Sequence, residues 1–193
     1  MAEKTPSSDV LTALRDALDG IDRLADRIGR EATEALVEGI FDSRRVFVTG
    51  KGRSGYVAEC FAMRLMQMGF DAHVPGEATC PRIGTADLLI AVSCSGTTMT
   101  TVQMARISGE AGATVVAVTA DAESPLSRAA DHVVVIPVTG EDVQRGYRSV
   151  IGPYNNTLFE EALLLYFDAL VYAILERGGI PEDTIQQRHT NLE

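Results

Sequence analysis

The run Leu88-Leu89-Ile90-Ala91-Val92 has no polar residue at either alternation of a pleated strand, so a strand here must be buried on both faces. Residues 114–118 and 133–138 repeat that signature, and Val46-Phe47-Val48 gives a shorter version. Helical patterns at 56–68, 100–111 and, briefly, 125–130 separate them. Two-sided strands alternating with helices imply a parallel sheet covered on both sides. With a short strand at 72–74, the expectation is a doubly wound, flavodoxin-like α/β fold with a five-stranded parallel sheet flanked by helices. In strand order 2-1-3-4-5 the first and third strands are neighbours, and the loops after them meet at the topological switch point.

The two ends of the chain carry further helices. Leu11, Leu14, Leu18, Ile21, Leu24 and Ile28 fall at three- and four-residue steps, an amphipathic pattern that continues less regularly to Phe41 before Asp42-Ser43. Residues 158–175 are apolar on nearly every side, more than a monomer's surface helix can bury, which points to a subunit interface. The 193 residues therefore read as one domain, with an N-terminal helical extension over about 8–41 and a C-terminal helix plus tail over 157–193. Residues 139–156 lack periodicity and hold Arg145, Tyr147, Arg148 and Tyr154, as expected of a functional loop.

Composition narrows the function. The chain is 46% hydrophobic and 23% charged, no apolar run approaches the roughly 18 residues that span a bilayer, and the start is polar without a signal-peptide segment. The net charge of −10 and the lack of a basic run argue against a nucleic-acid partner. Cys60, Cys80 and Cys94 match neither a disulfide framework nor a metal-ligand spacing, so a cytoplasmic chain without metal is expected.

Two loops carry the chemistry. Gly50-Lys51-Gly52-Arg53-Ser54-Gly55 fits the G-x-G-x-x-G dinucleotide fingerprint between a strand and a helix. A nicotinamide site would need an acidic residue at the carboxyl end of the second strand, where Asp71 comes too early and Glu77 too late. The glycines could also serve only a tight turn. Ser93-Cys94-Ser95-Gly96-Thr97-Thr98, which ends the third strand and opens the next helix, offers four hydroxyls and free backbone N–H groups, an anion nest. The pair is more specific than either loop, and it lets an acidic protein bind phosphate without a basic patch.

The pairing of GKGRSG with SCSGTT, an S-x-S-G-x-T loop, resembles the sugar isomerase (SIS) domain. GRSG followed by FAMRLMQMGF, PGEATCP, DLLIAVSCSGTT, TLFEEALLLYFDAL and RHTNLE is similar, more narrowly, to the 6-phospho-3-hexuloisomerases. The resemblance covers roughly residues 45 to 193. It implies interconversion of arabino-3-hexulose 6-phosphate and fructose 6-phosphate through a cis-enediol, in the ribulose monophosphate pathway of formaldehyde handling, with no cofactor and commonly as a homotetramer. Two positions depart from the pattern: Thr97 stands where Glu is expected, and GPYNNTLFE replaces a shorter approach to T-L-F-E.

An enediol reaction needs a base for a carbon-bound proton and donors for two oxygens. Glu160, in the first turn of the last helix, is the candidate base, with Glu161 as its rival; the helix dipole alone would favour a carboxylate there. His189 is the candidate proton shuttle or ring opener, reaching its own or a neighbour's crevice, whereas His73 and His132 lie in or beside strands and read as structural. Lys51, one of only two lysines, is placed to polarise a sugar oxygen, and Gly52 and Arg53 to contact sugar or phosphate. Ser93, Ser95, Gly96 and Thr98 are assigned to phosphate, with Ser54 closing the other side. Cys94 has no His-Asp arrangement to activate it and reads as packing. The competing functions are an aldose-ketose isomerase of arabinose 5-phosphate type, whose His-rich approach to the third strand is missing from PGEATCPRIG, and a non-catalytic sugar-phosphate sensor.

Overall fold

The computed structural model describes residues 10–138 and 157–192, so the loop at 139–156, with Arg145, Tyr147, Arg148 and Tyr154, lies outside the described residues. The elements are α1 (Val10–Ala25), α2 (Arg30–Asp42), β1 (Arg45–Thr49), α3 (Gly52–Met68), β2 (Ala72–His73), β3 (Asp87–Val92), α4 (Met99–Glu110), β4 (Thr114–Thr119), β5 (His132–Val135), α5 (Thr157–Gly178) and α6 (Glu182–Gln187). The sheet order is β2-β1-β3-β4-β5, with every pairing parallel. This is the expected doubly wound sheet.

Alternation along the strands sorts the core into two layers. Val46, Val48, Leu88, Ile90, Val92, Val116 and Val118 face α2, α3 and α5, while Phe47, Leu89, Ala91, Val115 and Ala117 face α4 and Leu126. All six residues of β3 are buried, and beyond Asp87 at its start none is polar, as burial on both faces requires. Phe61 of α3 stacks on Phe167 of α5 at 4.2 Å between ring centroids, and this locks the two helices that carry one wall of the cleft described below.

The elements depart from the sequence expectation in five places, one being that β5 ends at Val135 rather than at residue 138. α3 begins at Gly52 rather than near residue 56, so four of the six residues of the first glycine segment are helix. Gly50 and Gly55 make this possible, since a Cβ on Gly55 would sit 2.9 Å from the Gly50 carbonyl oxygen. The N-terminal pattern breaks into two helices, because Gly29 is extended and caps α2. The helix expected at 125–130 is a single 3-10 turn, Ser127–Ala129, held by Ser124 Oγ accepting from the Ser127 N–H at 3.2 Å. The polar tail contains α6, started by Pro181 and anchored by Ile185 against the core. No helix among the described residues is long and apolar enough to cross a membrane.

At the opposite end of the strands from the loops, the fully buried Asp87 carboxylate accepts from Arg45 Nη2 at 2.7 Å, Arg45 Nε at 3.1 Å, the Gly84 N–H at 2.8 Å and Arg44 Nη2 at 3.2 Å. Burial alone would push this carboxyl up, but the Arg45, Gly84 and Arg44 hydrogen bonds outweigh it and hold it below the usual range. Its contribution is therefore present above the unfolded-state pKa and lost as pH falls through the lower folded-state value. Asp87→Asn should cost roughly 2 kcal/mol at pH 7, and the deficit should shrink in acid. Urea unfolding of both proteins at neutral and acidic pH checks this.

Candidate active site

β1 and β3 are in register along Val48↔Ile90 and Thr49↔Ala91, so the segments that leave them emerge side by side. They enclose a cleft of ≈ 220 Å³ lined by Lys51, Gly52, Arg53 and Ser54 from one segment, Val92, Ser93, Cys94, Ser95 and Thr98 from the other, and Glu160 from α5. Of the residues assigned to the site from sequence, only Gly96 and His189 are absent from this lining, and Gly96 sits within the second loop.

That loop is pinned from beneath. The Cys94 carbonyl accepts from Thr119 Oγ1 at 3.0 Å and from the Ala120 N–H at 2.9 Å, and the Gly96 carbonyl accepts from the Leu126 N–H at 3.0 Å. Gly96 has φ +61, and a Cβ there would run into the Ser124 side chain, so glycine is required both by conformation and by space. Above this base, Ser93 Oγ and Thr98 Oγ1 are 2.9 Å apart, and Ser95 Oγ and Thr97 Oγ1 are 2.8 Å apart. Thr98 is the N-cap of α4 and makes no side-chain cap bond, which leaves the first-turn N–H groups for an incoming anion. The supporting roles of Thr119 and Ser124 have no local signal in the sequence.

Glu160 is buried, at 7% exposure, in the first turn of α5. Its Oε1 accepts from Ser54 Oγ at 3.3 Å, and its Oε2 lies 3.2 Å from Arg53 Nε. Arg53 Nη2 also reaches Glu161 Oε1 at 3.7 Å, so the rival carboxylate shares the same arginine but is more exposed. Burial pushes the Glu160 carboxyl above the ordinary value, while Arg53 and Ser54 pull it back and Glu161 adds to the rise. Burial, with Glu160 nearby, also pushes the Cys94 thiol up to about 12, so it stays protonated and serves as packing.

His189 is not in the cleft of its own chain. Arg188, its neighbour, lies against Gly69, the C-cap of α3, whereas the cleft is at that helix's N-terminus. Seventeen residues of helix, roughly 25 Å, separate the two ends. His73, in β2, packs against Phe47, and His132 is exposed at the start of β5; neither lines the cleft.

Residues 39–159 match the family model of the SIS domain. The 3-hexulose-6-phosphate isomerase of Bacillus subtilis is 35% identical over 92% of this chain and 96% of its own. That of Mycobacterium gastri is 35% identical over 100% of this chain and 96% of its own. The chain belongs to the SIS-domain family, among the 3-hexulose-6-phosphate isomerases. A solved Methanococcus jannaschii protein, for which that isomerase function has been inferred, superposes on this SIS chain with a TM-score of 0.82 at 29% identity, covering 93% of this chain and 98% of its own. The family match ends one residue before Glu160, so the case for this carboxylate rests on the geometry of the cleft.

Gly96→Ala should leave a folded but destabilised protein whose phosphate loop is displaced by Ser124. The expected outcome is a rise in KM for a phosphosugar of tenfold or more, on the order of 1.4 kcal/mol, measured by steady-state kinetics.

Proposed function

We propose that this SIS protein interconverts arabino-3-hexulose 6-phosphate and fructose 6-phosphate through a cis-enediol, with Glu160 as the base. The observation that carries the reading is the buried Glu160 carboxylate on the wall of a cleft whose other wall is the hydroxyl-rich phosphate loop. The similarity to chains named 3-hexulose-6-phosphate isomerase supports the choice of sugar. The reading belongs to a cytoplasmic ribulose monophosphate route and to a homotetramer.

In this mechanism Ser93, Ser95, Thr98 and the N-terminal N–H groups of α4 hold the phosphate, with Gly96 shaping the loop and Ser54 and Gly52 closing the opposite side. Glu160 removes the proton on C2 of the 3-ketose, the C–H electrons form the C2–C3 double bond, and O3 takes a proton. Return of a proton to C3 and loss of the O2 proton give the 2-ketose. Lys51, exposed at the N-cap of α3 and on the cleft wall, polarises a sugar oxygen. Arg53 is half-exposed and pairs with the base in the free protein. A bound phosphosugar draws its guanidinium toward the ligand, which removes a charge that lowers Glu160 and makes the carboxylate a better base.

Incubation with fructose 6-phosphate in deuterated water tests the reading directly. Deuterium at C3 is the expected result; deuterium at C1 would indicate an aldose-ketose route, and no incorporation would indicate binding without catalysis. Glu160→Gln should lower kcat by about 100-fold or more, whereas Glu161→Gln should remain active. Because the folded protein raises the Glu160 pKa, the buried ion costs stability once pH rises through the folded-state value. Glu160→Gln should therefore melt no lower than the wild type at pH 7.

His189 completes this mechanism only from a neighbouring subunit, since its own cleft lies at the far end of α3. Glu160→Gln and His189→Ala proteins, each inactive, should complement on dissociation and random reassembly, with roughly a quarter of the sites receiving both intact residues. Mixed oligomers, verified by mass spectrometry, that stay inactive would place a complete site in each chain.

A further inference from the structure

The hydroxyls of the loop between β3 and α4 form two pairs that differ in kind. Ser93 Oγ and Thr98 Oγ1 both line the cleft and hydrogen-bond to each other. In the second pair Ser95 lines the cleft, whereas Thr97 is exposed and stands outside that lining. Thr97 reaches Ser95 twice: its N–H donates to Ser95 Oγ at 3.3 Å, and its Oγ1 lies 2.8 Å from the same oxygen.

A serine hydroxyl has a single proton and two lone pairs. The Thr97 N–H takes one lone pair of Ser95. If Thr97 Oγ1 is the donor of the shorter bond, it takes the other, and the Ser95 proton must point away from Thr97. If Ser95 is the donor, its proton is spent within the loop and a lone pair is left for the ligand. A phosphate monoester dianion presents acceptor oxygens, so it accommodates the first arrangement and is repelled by the second.

We propose, on the reading that this loop holds the substrate phosphate, that Thr97 is a positioning residue whose hydroxyl donates to Ser95 Oγ and so makes Ser95 a dedicated donor to that phosphate. A free hydroxyl must be turned toward its ligand at an entropic cost; one whose lone pairs are both occupied is already turned. Threonine suits the task because branching at Cβ restricts its χ1, which holds its own hydroxyl in place. The Glu expected at this position from the family resemblance would accept as a carboxylate and could not donate, so this arrangement belongs to the present chain.

Calorimetric titration of the full-length protein with inorganic phosphate, at about pH 8 where phosphate is a dianion, tests this without calling on isomerase activity. Ser95→Ala should raise the phosphate Kd roughly tenfold, and Thr97→Val, which keeps the shape and removes the proton, roughly fivefold. Thr97→Ser, which restores the donor, should stay within about twofold of the wild type. Ser95→Ala combined with Thr97→Val should bind no more weakly than Ser95→Ala alone, because Thr97 acts through Ser95. With fructose 6-phosphate, Thr97→Val should raise KM by a similar factor and alter kcat less than about twofold. A phosphate Kd unchanged by Ser95→Ala would overturn the assignment of the loop and the role of Thr97 together. If Ser95→Ala weakens binding but Thr97→Val does not, or if the double variant loses the product of the two single effects, the role of Thr97 alone is overturned.

Discussion

The adjacency of β1 and β3 in a sheet buried on both faces is the constraint from which the site follows. Parallel strands in register end at the same level, so the segments that leave them must share one space. After Asp87, whose carboxylate is paired with Arg44 and Arg45, two-sided burial keeps β3 apolar from Leu88 to Val92 and places the first hydroxyls of that segment, from Ser93 onward, where the strand ends. The close contact of Gly50 with Gly55 brings the start of α3 against the end of β1, and the glycine at 96 lets the second loop settle on Ser124. Both glycine requirements serve proximity of backbone to backbone or to a neighbouring side chain, which leaves room above for a phosphate.

The electrostatics of the cleft arise from the same packing. α5 must lie against α3 to bury Phe61, Phe167 and their neighbours, and this carries the first turn of α5, with Glu160, onto the α3 terminus. The carboxylate is thereby desolvated and given two counterweights, Arg53 and Ser54, from the opposite element. A group held this way is costly to ionise yet not neutralised outright, which suits a base that must take and return a carbon-bound proton. With Glu160 as the proposed base, catalytic readiness and folding stability pull in opposite directions at this position.

Among the described residues, the helices outside the sheet fix where the two ends of the chain lie. α6 fixes the tail at the far end of α3, and α1 and α5 present apolar rows to the outside. The proposed delivery of a proton shuttle by a neighbouring subunit follows from that placement, because the tail of each chain lies away from its own cleft.

The sheet, its order and the two loops were legible in the sequence because each depends on local, periodic information: apolar runs without alternation, and glycine and hydroxyl spacing at strand ends. The start of α3 at Gly52 was not, since a glycine segment reads as loop until Gly50 is seen against Gly55. Nor was the pairing of Ser54 with Glu160, 106 positions apart in the chain. Sequence placed Glu160 at a helix start, where a dipole favours a carboxylate; only the tertiary structure shows that it is buried and that burial pushes its carboxyl above the ordinary value. The same holds for His189, whose tail reads as free to reach anywhere until Ile185 anchors α6. Sequence alone determined which groups the chain can offer to a phosphosugar, because those are written in residue type and short spacing. Which of them meet, and in what dielectric, was decided by the packing of α3 against α5, because desolvation and long-range contact exist only once the core has closed.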